Sequence, residues 1–174
     1  MITVARDTKI QVEFNPDAVK AYRLLGYENR DIADKDFRND RVDAGEVGSG
    51  HSVTALYEVR LADSSEEDLA TVRLRWERPG ADGEAIEREF KFDGERFNTS
   101  VRGASESLKL AFAAATFAEV LRQSPHAVEV DLRDLQEIVD GVANDKESRE
   151  LSRLIGMAER LGATDRQVAW LENR

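Results

Sequence analysis

The residues whose types could do chemistry gather between Glu28 and Ser52. Glu28, Asp31, Asp34, Asp36, Asp40, Asp43 and Glu46 supply a run of carboxylates, the oxygen-rich chemistry that hard cations such as calcium take. The register is not that of an EF-hand. Framed from Asp34, the loop puts Arg38 at a ligand position, Asn39 where the turn glycine belongs and Gly45 where the bidentate glutamate belongs. Arg30, Lys35, Arg38 and Arg41 are interleaved with the acids, so a solvated, salt-bridged loop is expected. Asp31, Asp34, Asp36, Asp43, Glu46 and His51 are its candidate interaction residues, because polar loops on a rigid scaffold often carry binding. Binding of a cation or small ligand by the loop 28–51 is the alternative.

Gly45-Glu46-Val47-Gly48-Ser49-Gly50-His51-Ser52 has nearly the spacing of a phosphate-binding loop, with His51 where the lysine should stand. Such a loop needs that lysine, a strand before it and a helix after it whose amides face the anion. Here acidic sequence precedes and a strand pattern follows, so the glycines are read as a lead-in chosen for backbone freedom. The two histidines, His51 and His126, join no serine and aspartate in a nucleophile motif. With no cysteine in the chain, disulfides, thiolate zinc sites and cysteine nucleophiles are absent. No catalytic residue, cofactor or metal ligand set is assigned, and the chain is expected to be non-enzymatic.

The elements that would hold these residues fall into two kinds. Thr8 to Phe14 alternates, with Ile10, Val12 and Phe14 on one face and Lys9, Gln11 and Glu13 on the other, the period of a half-buried strand. Ala21 to Tyr27 is a second strand, with Gly26 marking a bulge or close backbone approach. Val53, Ala55, Tyr57, Val59 and Leu61 form the longest alternation. Val72, Leu74 and Trp76, then Pro79-Gly80-Ala81-Asp82-Gly83, then Ile86, Phe90 and Phe92 read as a hairpin. Strands joined by turns rather than helices predict an antiparallel sheet.

Beyond Gly103 the period becomes 3.6. One helix covers Leu108 to Leu121 with apolar residues on more than one side. A second follows Asp131 as N-cap, with Leu132, Leu135, Ile138, Val139 and Val142 as its stripe and Asp134 in the first turn. A third carries Leu151, Leu154, Ile155, Ala158 and Leu161, with Gly162 as its cap; Trp170 and Leu171 would add a last turn. Trp76, Trp170, Phe90 and Phe92 are read as core or interface anchors. The fold class is therefore α+β: an antiparallel β-sandwich-like sheet from 1 to 103, then a bundle of three helices from 104 to 174. The two regions are expected to share a core, since each has an apolar surface to cover.

Composition narrows the partners. Among 174 residues there are 35 acids and 25 bases, a formal charge of −10, which argues against a phosphate-backbone partner. No stretch reaches the roughly 18 apolar residues of a membrane span. Met1-Ile2-Thr3-Val4 enters a strand pattern without the n- and h-regions of a signal peptide, so the chain is expected to be cytosolic or a piece of something longer.

Three strings, Lys9 to Pro16 (KIQVEFNP), AYRLLGYENR at 21–30 and DAGEVGSGHSVTALYEV at 43–59, resemble in order and spacing the C-terminal region of bacterial von Willebrand factor type A (VWA) domain proteins. VWA domains bind proteins through a cation held by an Asp-x-Ser-x-Ser loop. Asp63-Ser64-Ser65 lacks that spacing and no doubly wound pattern is present, so no metal site is carried over. The resemblance implies a scaffold or protein-interaction domain that accompanies a VWA domain in a cell-envelope protein, with that VWA domain as partner. The abrupt strand start at Thr8 raises the expectation that earlier strands of a parent protein complete the sheet. A fragment would then expose an edge or apolar face and cover it as a homodimer.

Overall fold

The computed structural model describes residues 2–26, 36–39, 41–42, 44–62, 68–80, 84–93 and 100–164. The chain divides into two compact units, Met1–Phe97 and Asn98–Arg174. The first holds antiparallel sheets and the second three helices, so the class is α+β.

Six strands build the first unit: β1 (Thr3–Phe14), β2 (Val19–Leu25), β3 (Gly45–Gly48), β4 (Leu56–Leu61), β5 (Ala70–Glu77) and β6 (Ala85–Phe92). They form a four-stranded sheet in the order β3-β1-β5-β6 and a two-stranded sheet β2-β4, antiparallel throughout. The hairpin is as expected, with Val72 opposite Phe90 and Trp76 opposite Ile86. Three strand readings change. The strand expected from Thr8 begins at Thr3, because β3 gives its first residues a partner. Gly45–Gly48, taken as a lead-in, is that edge strand. The strand expected from Val53 starts only at Leu56, since its partner β2 ends at Leu25 and leaves Val53 69% exposed. Beyond Leu25 the chain turns through Gly26 with φ of 77°. An added Cβ there would meet nothing within 4 Å, so the left-handed backbone explains this glycine, not the expected close approach.

β1 serves two partners. Its pairing with β3 runs through residues 3–8 and its pairing with β5 through 6–14, with irregular register around Asp7. Asp7 has φ of 46°, a left-handed conformation that a short polar side chain tolerates better than most. The kink marks where the strand passes from one ladder to the other.

The two faces of the four-stranded sheet differ. On the polar face, Arg73 bridges Glu13 at 2.6 Å and Glu89 at 3.0 Å across three strands. On the other face the registered rows are Phe14–Ala70–Phe92, Val12–Val72–Phe90 and Ile10–Leu74–Arg88. The two-stranded sheet meets this face at its Phe14 end, where the Phe14 ring lies 4.4 Å from that of Tyr22 and 5.3 Å from that of Tyr57, centroid to centroid. Ala18, Val19 and Leu69 are buried beside it, with Phe14 and Val59 packed against them.

In the second unit a 3-10 turn (Val101–Gly103) precedes α1 (Glu106–Leu121), α2 (Leu132–Asp140) and α3 (Lys146–Arg160). Asp131 caps α2 through the N–H groups of Arg133 and Asp134, as the sequence predicts. Asp145 caps α3 in a reciprocal box with Ser148, and Gly162, at φ of 64°, ends the last turn. Ala113, Phe117, Val120, Leu132, Leu135, Val139 and Ile155 make the core. The α3 stripe is shifted from the expected one. Leu154 and Leu161 are exposed, while Ser148, Ser152 and Gly156 are buried. A polar seam explains the shift: Ser152 Oγ donates to Asp140 at 2.5 Å and accepts from Gln136 Nε2 at 3.3 Å, which satisfies groups that burial would otherwise penalise.

Candidate functional site

Of the six loop residues, Asp31, Asp34 and Asp43 lie outside the described residues, as does the expected turn at Trp170. Asp36 accepts from the Asn39 side-chain amide at 3.0 Å, and Glu46, on β3, accepts from Thr3 Oγ1 at 3.2 Å. His51 is exposed. Among the described residues no three histidine, aspartate or glutamate side chains are grouped to hold a metal ion. The structure therefore does not bring Asp36, Glu46 and His51 together as one.

The described part of this loop is built onto the sheet. Phe37 is buried. Arg38 donates from Nε and Nη2 to both carboxylate oxygens of Glu87 on β6, at 3.1 and 2.7 Å. This bond is the main cause that holds the Glu87 carboxyl below its ordinary value, with partial burial opposing it. Lys9, expected on the solvent face, is only 2% exposed. Its Nζ donates to the Asn39 carbonyl at 2.8 Å and to Asp7 at 3.2 Å. Alternation assigned Lys9 to the polar side correctly, but a loop distant in sequence comes over that side and removes the lysine from water.

Two further surfaces lie outside the acidic loop. The first is the apolar sheet face, where Ile10 is 55%, Phe90 52% and Phe92 47% exposed. The sequence reads its residues as one-faced strands, with the expectation of a core shared with the helices or, in a fragment, of an exposed apolar face. The second is a cleft of about 500 Å³ in the helical unit, lined by Arg102, Lys109, Asp134 and Glu137, with Ile138 and Val142 among its apolar residues. No sequence spacing joins these, since they come from the 3-10 turn, α1 and α2. Among the described residues no helix is long and apolar enough to cross a membrane.

Antiparallel sheets followed by a three-helix unit define an α+β domain. The family described as Uncharacterized protein YfbK, C-terminal, matches residues 1–67 and 61–161, and the chain belongs to that family. A relative, Uncharacterized protein YfbK of Escherichia coli (strain K12), is 29% identical over 188 residues, covering 95% of this chain. The chain spans 31% of that relative's length. No solved structure matches.

Proposed function

We propose that this chain is a non-catalytic interaction domain that accompanies a VWA domain in a bacterial envelope protein and docks on it. The observation that carries the reading is the apolar sheet face: Ile10, Phe90 and Phe92 stand about half exposed on one side of a registered sheet. Contiguous exposed apolar surface marks an interaction site more often than scattered single residues do. The matched stretch is 31% of the YfbK relative, which leaves room in such a protein for a partner domain; the resemblance of the three N-terminal strings supplies its class and its envelope location. The rival, cation binding by the loop 28–51, has no comparable support among the described residues.

The test is calorimetry of this chain against the separately expressed VWA portion of its parent protein, with and without magnesium. Binding that is independent of magnesium and lost in Phe90→Glu supports the proposal. Absence of binding, or binding that Phe90→Glu leaves intact, overturns it.

A further inference from the structure

We propose that the outer edge of β6 is a pairing site for β6 of a second copy of this chain, the two strands running antiparallel about a two-fold axis at Phe90. Among the described strands β6 is hydrogen-bonded only to β5 and closes one side of the four-stranded sheet. In β5 every residue is buried or half-buried, whereas Arg88, Glu89, Phe90, Lys91 and Phe92 of β6 are exposed in succession. An edge of this kind presents backbone N–H and C=O groups to another strand. The opposite edge, β3, has four residues with glycine at both ends, and short edge strands resist such pairing.

The side chains select both the occupant and the register. An axis at Phe90 sets Phe90 against its own copy, Glu89 against the partner's Lys91 and Arg88 against the partner's Phe92, the last two contacts occurring twice. These pairs use the whole exposed run from Arg88 to Phe92. Beyond it Glu87 is held by Arg38 at 2.7 Å. The aromatic and cation–aromatic pairs fall on the apolar face and the charge pairs on the polar face. There Glu89 meets Arg73 at 3.0 Å and Lys91 meets Asp68 at 3.3 Å, yet the two side chains keep 47% and 63% of their exposure for a further partner. Opposite charges, aromatic pairs and cations over rings each stabilise strand pairing. Moving the axis by one residue sets Glu89 against Glu89 or Lys91 against Lys91, and moving it to Arg88 sets Arg88 against Arg88. Like charges thus reject the neighbouring registers. A two-fold contact consumes the edge on both copies, so the assembly closes as a dimer.

The chain contains no cysteine, so single substitutions report the register by disulfide trapping of the whole chain under mild oxidation. Directly opposite residues have Cα atoms about 4.5–5.5 Å apart, within the roughly 7 Å that a disulfide spans. Phe90→Cys alone should therefore cross-link to a dimer. Glu89→Cys mixed with Lys91→Cys should do so too, but neither by itself, because its own copy stands diagonally about 7–8 Å away. Sedimentation equilibrium of the unsubstituted chain should show a monomer–dimer equilibrium that Lys91→Glu weakens about tenfold, as two opposite-charge pairs become like-charge pairs. Circular dichroism checks that each variant folds. No dimer of the unsubstituted chain, a dimer indifferent to Lys91→Glu, or no trapping with Phe90→Cys overturns the proposal. So does trapping with Phe90→Cys but not with the Glu89→Cys and Lys91→Cys mixture, the result of two apolar faces stacked on each other instead of edges joined. The VWA portion takes no part in these experiments, so their outcome is independent of the docking proposal.

Discussion

Replacing Lys9 by methionine keeps the apolar stem and removes the ammonium, so it isolates the charge. The ammonium is enclosed: Lys9 is 2% exposed, and the Asp7 side chain paired with it at 3.2 Å retains 19% of its exposure. In Lys9→Met the Asp7 carboxylate keeps its charge without a counter-charge, and the Asn39 carbonyl loses one of its two donors but still accepts from the Val42 N–H at 3.1 Å. Breaking a buried pair from one side costs about 3–5 kcal/mol. Residual exposure of Asp7 places the expected loss at the low end, about 3 kcal/mol. Adding Asp7→Asn removes the stranded charge while keeping a residue that tolerates left-handed backbone, so the double variant should be more stable than Lys9→Met alone. Urea unfolding reads this through Trp76 fluorescence in a Trp170→Phe background, with the slope expected to stay constant. A loss below about 1 kcal/mol, or a double variant no more stable than the single one, would refute the view that Lys9 and Asp7 act as a buried pair.

Glu87 ionises below its ordinary value of 4.5 because Arg38 hydrogen-bonds its charged form. A depressed folded value stabilises above the unfolded value and is lost as pH falls through the folded one, so this contribution should fade below pH 4.5. Carboxylate NMR titration should show Arg38→Gln moving Glu87 upward; no movement would discount the contact. Ile155 is fully buried, and Ile155→Ala should cost about 3 kcal/mol, read as a lower urea midpoint of the helical circular dichroism. Asp131→Ala should cost the helical unit about 1 kcal/mol and Asp131→Ser much less; the same unfolding experiment ranks the two.

Local signals reached as far as local causes did. The β5–β6 hairpin was readable because alternation and turn chemistry coincide, and Asp131 and Gly162 because caps are set by side-chain oxygen and left-handed backbone. β3 was hidden, since a four-residue strand of Gly-Glu-Val-Gly has no period to detect. The alternation at 53–55 was genuine, but pairing needs a partner, and β2 offers none there. Lys9 shows the same limit: a period gives a face, and only tertiary structure says whether water reaches it. On α3, leucines outweighed Ser152 and Gly156 in the sequence reading, while the seam to Asp140 and Gln136 decided the burial. Of the candidate sites, the acidic loop stood out by composition, whereas the cleft joins Lys109 to Glu137 across separate elements and leaves no trace in spacing.

The double duty of β1 has a consequence for synthesis. β1 is made before both of its neighbours in the sheet, and its Glu13 waits 60 residues for Arg73. At about 5–20 residues per second that is roughly 3–12 s during which Ile10, Val12 and Phe14 have emerged without their ladder. The helices, whose contacts are closer in sequence, carry no such delay. Nascent-chain protection of the Ile10–Phe14 segment of β1 should therefore appear only after β5 (Ala70–Glu77) has left the ribosome, so a strand made early in this stretch is secured by one made much later.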